Sequence, residues 1–332
     1  MPPRSVRLGV QPDVDGVSED CRLTVNVFRP SASVLSNDTL VPVMLWIYGG
    51  GFQTGSAIVT GDHLIEQSVL RETPIIYVST NYRVGPFGFP QGTEAGQLGA
   101  SNLGYKVQLA AISWVQKHIS AFGGDPTKIP LFGQSAGSIS ISALYLNSGF
   151  ENYGVRGVIM ESGSSTSFPL FNASRRRVAG IDVPVLAQHH HVRPALVLGR
   201  RRRRVPPPLA LFVPADGLLP DLPINLLAAG RFSKIPFIAG TVVDEGTAFV
   251  PQQLSSGFDF DLLNVIRPRL GLAVRDGQLY KLTAAMFGAL AFQVPRQHWI
   301  QTATAAGVPT YSYIFTDQNT AAAAPSSSEP WC

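Results

Sequence analysis

Short apolar runs separated by glycine-rich turns fill the first half of the chain. Leu23 to Phe28, Val41 to Tyr48, Pro74 to Ser79, Ile129 to Phe132 and Val155 to Met160 read as core strands. Between the third and fourth runs, Leu103, Val107, Ala110 and Trp114 recur at helical spacing within Asn102 to Phe122, and Gly123-Gly124-Asp125-Pro126 stops the helix. A helix that crosses between strands predicts a mostly parallel sheet with helices on its faces, hence the α/β class. Farther on the pattern gives turn chemistry at Asp216-Gly217, a helix over Ile224 to Ala229, a strand over Ile235 to Gly240, a helical stretch over Pro295 to Ala306 and a last strand over Pro309 to Phe315.

The periodicity breaks between Ala173 and Pro208. Arg175-Arg176-Arg177, His189-His190-His191, Arg200 to Arg204 and Pro206-Pro207-Pro208 follow one another without a two-residue or 3.6-residue apolar repeat, so no regular fold is expected there. A single domain over residues 5–318, interrupted by 173–208 and followed by a disordered tail at 319–332, is the expected organisation. The chain of 332 residues has a formal charge of +4. Residues 173–208 hold nine arginines and one acid, Asp182, a net of +8, which leaves −4 elsewhere. The positive charge is therefore local, no aromatic side chains interleave with it for base stacking, and no nucleic-acid partner is expected. The competing reading of the arginine run is a polyanion-binding or nuclear-localisation loop.

Composition excludes other classes. At 45% hydrophobic and 14% charged the chain can bury a sizeable core, so disordered and fibrous classes are out. The longest apolar run, Val41 to Tyr48, falls far short of the ~18 residues of a membrane span. No apolar region follows the opening residues, so the sequence as written shows no secretory signal, although Asn37-Asp38-Thr39 and Asn172-Ala173-Ser174 fit glycosylation acceptors. Two cysteines, Cys21 and Cys332, make no disulfide framework and suggest no metal site.

Chemistry concentrates in two glycine motifs. Gly133-Gln134-Ser135-Ala136-Gly137 fits G-x-S-x-G, with an apolar strand ending at Phe132 and a helix-compatible run starting at Ala136. This is the nucleophile-elbow arrangement: glycines flank a turn so sharp that a Cβ would meet a neighbouring element, and the Ser135 hydroxyl stands clear of the backbone. The bland reading is a glycine-rich turn with an idle serine. Upstream, Gly49-Gly50-Gly51-Phe52 follows an apolar strand, and three missing side chains let backbone N–H groups face a cleft, as an oxyanion hole requires. Taken alone it is a flexible turn; beside the elbow it is the expected second half of a hole whose other donor is the Ala136 amide. A serine needs a base, and the base an orienting acid. Glu245 and Asp244, at the end of the strand Ile235 to Gly240, compete for that role and residue type does not separate them. His298 alone follows them, and a surface or packing histidine is the better reading of it.

Ser18-Glu19-Asp20-Cys21 through Val27, Gly49 to Phe52, Asn81-Tyr82-Arg83, Phe122 to Pro126, Gly133 to Ser138 and Glu161-Ser162-Gly163-Ser164 together resemble the carboxylesterase type B family, the α/β-hydrolases that include cholinesterases and fungal carboxylesterases and lipases. The match resumes at Asp216-Gly217, at Gly240 to Gly246 and at Tyr311 to Phe315. The resemblance implies an α/β-hydrolase fold, carboxylic-ester hydrolysis through an acyl-enzyme, Ser135 as nucleophile, Glu245 rather than Asp244 as acid, and Gly50, Gly51 and Ala136 as oxyanion donors. It implies a small-molecule or lipid ester as partner, no metal or organic cofactor, and an extracellular setting. It gives no oligomeric state. The family's histidine lies in a loop beyond the strand that resembles Tyr311 to Phe315; the sequence reaches Cys332 without that motif, so impaired activity is expected. Val107 stands where the family usually has Asp, and no cysteine precedes Cys21 to pair with it. Ala173 to Pro208 and the last dozen residues also read as out-of-frame or unspliced translation, so that an incomplete member of the family is expected; transcript sequencing checks this, and the same frame read through Pro208 rejects it. A catalytically silent esterase-like binding protein is the alternative.

Overall fold

The computed structural model describes residues 6–8, 23–31, 34–35, 40–58, 61–90, 93–147, 149–167, 218–249 and 278–316. The 173–208 segment, the Asp216-Gly217 turn, both cysteines, both glycosylation triplets, Ser18 to Asp20 and the tail lie outside them.

Within the described residues, strands β1 (Val6–Leu8), β2 (Val25–Arg29), β3 (Val43–Ile47), β4 (Ile76–Thr80), β5 (Ile129–Gln134), β6 (Val155–Glu161), β7 (Phe237–Val242) and β8 (Thr310–Phe315) form one sheet in the order β1-β2-β4-β3-β5-β6-β7-β8. The β1–β2 and β2–β4 pairs are antiparallel; the remaining neighbours are parallel. Helices α1 (Asp62–Leu70), α2 (Gly85–Gly88), α3 (Thr93–Gln97), α4 (Leu103–His118), α5 (Ala136–Leu144), α6 (Pro223–Ala228), α7 (Gln278–Gly288) and α8 (Val294–Ala305) join and flank it. This is the mixed, mostly parallel architecture that the strand and crossover pattern predicts.

Burial explains the strand sequences. All five residues of β4 are buried, as its unbroken run requires of a strand covered on both faces. Val43, Leu45, Ile47, Ile76, Val78, Ile129 and Leu131 are fully buried along the central strands, each contributing about 1.5–3 kcal/mol of transfer free energy. Along β8, by contrast, residues 311–315 are all exposed.

The expected crossover helix is present as α4, continued by a 3-10 turn over Ile119–Phe122 and ended at Gly123, whose φ of 86° is the left-handed C-terminal conformation. Its buried face is not the Leu103-Val107-Ala110-Trp114 stripe. Tyr105, Gln108, Leu109, Ile112 and Val115 point inward, while Ala110 and Trp114 are exposed. Gln108 is buried because its Nε2 donates to Ser140 Oγ at 3.1 Å, so a polar residue occupies the inner face and shifts the apparent stripe.

Register brings the strand ends level. Ile47 pairs with Gly133, Gly133 with Met160, and Met160 with Ala239. The segments that follow β3, β5, β6 and β7 therefore leave one edge of the sheet together. Because β4 and β5 lie on opposite sides of β3, the connections diverge there, the place where open α/β sheets form a crevice.

Candidate active site

Ser135 links β5 to α5 with φ 55° and ψ −122°, backbone that a non-glycine residue adopts only under constraint. The constraint is visible: its N–H donates to the Glu161 carbonyl at 2.8 Å, and its own carbonyl accepts from Ile139 N–H at 2.9 Å. A Cβ on Gly137 would lie 2.0 Å from the Ile47 carbonyl oxygen, and one on Gly133 2.7 Å from the same atom. Both flanking glycines are thus dictated by contact with β3, as the motif predicts.

Helix α5 is buried along all nine residues, three of them serines. Ser138 Oγ donates to the Gly163 carbonyl at 2.6 Å, Ser140 accepts from Gln108, and Ser142 Oγ accepts from Ser165 N–H at 2.8 Å. These bonds satisfy hydroxyls in an otherwise apolar setting and tie the elbow helix to the segment after β6. Ala136 opens α5, so its N–H has no intrahelical acceptor and points back toward Ser135.

The triple-glycine segment reaches the same spot. A Cβ on Gly49 would lie 3.1 Å from the Ser135 Cβ and 2.7 Å from the Gln134 carbonyl oxygen. Gly50 and Gly51 take φ of 105° and 62° and are exposed, with open space around the Cβ position of Gly51. Aromatic anchors hold the segment. Tyr48 and Tyr82 stack at 4.4 Å and bond reciprocally: Tyr48 OH donates to the Tyr82 carbonyl at 3.1 Å and Tyr82 OH to the Tyr48 carbonyl at 2.9 Å. Burial pushes both phenols above their ordinary range, so both stay neutral donors. Phe52, buried despite φ 60°, packs edge-on against Phe89 and Tyr105. Neither tyrosine carries a local sequence signal for this role, because reciprocal bonding between residues 34 apart leaves no local trace.

The two acids separate clearly. Asp244 is exposed, whereas Glu245 is buried in a 3-10 turn over Glu245–Ala248. The Glu245 carboxylate accepts the Val242 N–H at 2.9 Å and the Ser162 hydroxyl. Desolvation raises its pKa above the usual carboxylate value, opposed by those two bonds and by the nearby Arg296 charge. Helix α7 packs onto this turn so closely that a Cβ on Gly246 would stand 1.7 Å from the Ala284 carbonyl oxygen. Ser162 takes φ 54° and its N–H donates to Gly240 O at 2.9 Å, which turns its hydroxyl toward Glu245. Ser162 and Arg296 escaped sequence reasoning: the first stood in a quoted motif without a role, and the second carried no signal.

The structure thus brings Ser135, Ala136 and the glycine segment together, and carries Glu245 to the same edge of the sheet through Ser162, one residue beyond the Gln134–Glu161 register and next to Gly163, whose Cβ position is 2.8 Å from the Ser135 carbonyl oxygen. His63, His118 and His298 are exposed. His118 packs on Trp114 at 5.0 Å, and the residue after His298, Trp299, is the one that enters the core. His189 to His191 lie outside the described residues. Among the described residues no cluster of His, Cys, Asp and Glu could hold a metal ion, and no helix is long and apolar enough to cross a membrane.

Known proteins resemble the chain in sequence and in fold. The model of the carboxylesterase family matches residues 2–262. The chain is 36% identical to para-nitrobenzyl esterase of Bacillus subtilis over 70% of its own length and 48% of that protein, and 33% identical to secreted lipase 1 of Botryotinia fuckeliana over 89% of its own length and 60% of that protein. The crystal structure of Aspergillus niger EstA superposes with a TM-score of 0.74 at 27% identity, covering 92% of this chain and 65% of EstA. The chain spans about half to two thirds of the length of these relatives. With the fold, the elbow and the family match in agreement, the chain is an α/β-hydrolase that belongs to the carboxylesterase family.

Proposed function

We propose that the chain hydrolyses carboxylic esters of small molecules or lipids through a serine acyl-enzyme. The observation that carries this reading is the strained Ser135 elbow packed directly against Gly49, at the opening of the triple-glycine segment. Ser135 Oγ attacks the ester carbonyl carbon as its proton passes to a base; the carbonyl oxygen becomes an oxyanion that the N–H groups of Gly50, Gly51 and Ala136 stabilise. Collapse of the tetrahedral intermediate expels the alcohol with a proton, and water then cleaves the acyl-serine ester, returning the acid and the free hydroxyl. Glu245 is the orienting acid in this reading. Its burial and the two hydrogen bonds it accepts support it over exposed Asp244.

Proton transfer limits turnover. Among the described residues the hydrogen-bond donors to Glu245 are Val242 and Ser162, and the three described histidines are exposed. A triad without its base loses roughly 10⁶ in kcat yet keeps about 10³–10⁴ over the reaction in water. The same observation favours a second reading, a silent esterase-like binding protein. Hydrolysis of p-nitrophenyl butyrate separates the two. Slow turnover that disappears in Ser135→Ala is expected; a folded chain with no Ser135-dependent hydrolysis supports the silent reading. An extracellular setting is proposed by analogy with the relative named a secreted lipase.

A further inference from the structure

Helix α4 supplies no donor to the oxyanion hole, yet it touches both halves of it. Sheet pairing between β3 and β5 ends at Ile47 and Gly133, three residues short of Gly50 and of Ala136. Tyr105 and Gln108, three residues apart and so on one face of α4, are both fully buried. The Tyr105 ring meets Phe52 edge-on at 6.2 Å and Phe89 at 5.1 Å, and Phe52 directly follows Gly51. The Phe52 carbonyl accepts the Gly85 N–H at 2.6 Å, which joins the glycine segment to α2. One turn along α4, Gln108 Nε2 donates to Ser140 Oγ at 3.1 Å, and Ser140, fully buried, lies one turn beyond Ala136 in α5.

We propose that Gln108 is a positioning residue for the hydrolysis: together with Tyr105 it makes α4 a strut that holds the Ala136 N–H at a fixed distance from those of Gly50 and Gly51. This rests on Ser135 and that main-chain hole carrying the reaction. Packing does not require a glutamine at this position, because an apolar pair of the same shape is about as stable as a buried hydrogen-bonded one. A hydrogen bond adds direction. It fixes α5 in rotation and height against α4, and a hole whose donors lie on separate segments works only while their spacing is held.

The other contacts between the two halves leave that spacing open. Gly49 packs against Gln134 and Ser135, but it precedes both glycine donors, and Gly51 has open space at its Cβ position. The reciprocal Tyr48 and Tyr82 bonds act before the first glycine. Ser138 and Ser142 tie α5 to the segment after β6, not to the glycine segment. Gln108 Oε1 has no hydrogen-bond partner among the described residues, so the bond to Ser140 is what a substitution of its side chain removes.

The rate of Ser135 modification by a fluorophosphonate, measured against reagent concentration on the full chain, tests this. Gln108→Met keeps the side-chain length and removes the donor. It is expected to lower the maximal rate about tenfold or more with the half-saturating concentration unchanged, and to lower the thermal midpoint by leaving Ser140 unpaired. In Gln108→Met/Ser140→Ala both polar partners are gone; the thermal midpoint is expected to return close to wild type while the rate stays low. A wild-type rate in Gln108→Met, or a rate that recovers with the midpoint in the double variant, overturns the proposal. Should Gln108→Met not fold, the rate in the double variant decides, and failure of both to fold assigns the pair to the fold alone and overturns it. Failure of the esterase reading shows separately, as a folded wild type whose Ser135 stays unmodified. A crystal structure of the double variant then decides: Ala136 N displaced from Gly50 N and Gly51 N by about 0.5 Å or more supports the strut, and an unchanged arrangement rejects it.

Discussion

The Ser135 elbow and the Glu245 turn leave the same edge of one sheet, and different forces hold them there. At the elbow nearly every constraint is main-chain: glycine contacts at 2.0 and 2.7 Å, a backbone bond to Glu161 and a helix buried on all sides. Around Glu245 a backbone contact with α7, 1.7 Å from the Gly246 Cβ position to the Ala284 carbonyl oxygen, is joined by hydrogen bonds that end on the side-chain carboxylate, and the neighbouring β8 is exposed along most of its length. The lesson is that the elbow is fixed by contacts written into its own glycine motif, whereas the Glu245 turn is fixed by packing and hydrogen bonds from segments distant in sequence.

The contrast breaks most sharply at Gly137. An alanine there drives its Cβ into the Ile47 carbonyl at 2.0 Å, backbone against backbone, with no rotamer to relieve it. Gly137→Ala is expected to lose about 3 kcal/mol or more, or to fail to fold, read as a drop in thermal midpoint. Gly51→Ala, with open space at its Cβ and only φ 62° to resist, is expected to cost about 1–2 kcal/mol. Equal losses at both glycines contradict a shape-fixed elbow.

The acid's side is probed by neighbours. Glu245→Ala strands the part-buried Val242 N–H and the buried Ser162 hydroxyl and should cost about 1–3 kcal/mol, against about 0.5 kcal/mol or less for exposed Asp244→Ala, in urea unfolding. Similar effects at both positions dissolve the distinction between the acids. Ser138→Ala, which removes the 2.6 Å bond tying α5 to Gly163, should cost about 1 kcal/mol. A change too small to measure means that α5 holds the elbow without that tie.

Smaller still is the pH effect. Because burial raises the Glu245 pKa, the folded chain holds that proton more tightly than the unfolded chain does. The wild type therefore loses stability as pH rises from the ordinary value of 4.5 through the folded value, and Glu245→Gln does not share that loss. The stability of the variant relative to wild type should climb across that window. A flat difference shows that the carboxyl is not desolvated.

The same contrast explains what the sequence made legible. Gly133, Ser135 and Gly137 encode their own sterics, so the elbow and the strand–helix order around it were readable locally. Residue type does not separate Glu245 from Asp244, because their difference is burial beneath α7, whose Ala284 is some forty residues away in the chain. The buried face of α4 was misread for a related reason: Gln108 faces inward to meet Ser140, a partner that local periodicity does not reveal.

The central claim is that the Ser135 hydroxyl is a primed nucleophile facing a main-chain hole. Fluorophosphonate treatment of the folded chain followed by peptide mass spectrometry tests it most directly. A single adduct on the peptide containing Ser135, lost in Ser135→Ala, is the expected result; a folded chain that stays unmodified, or carries its adduct on another serine, contradicts the claim.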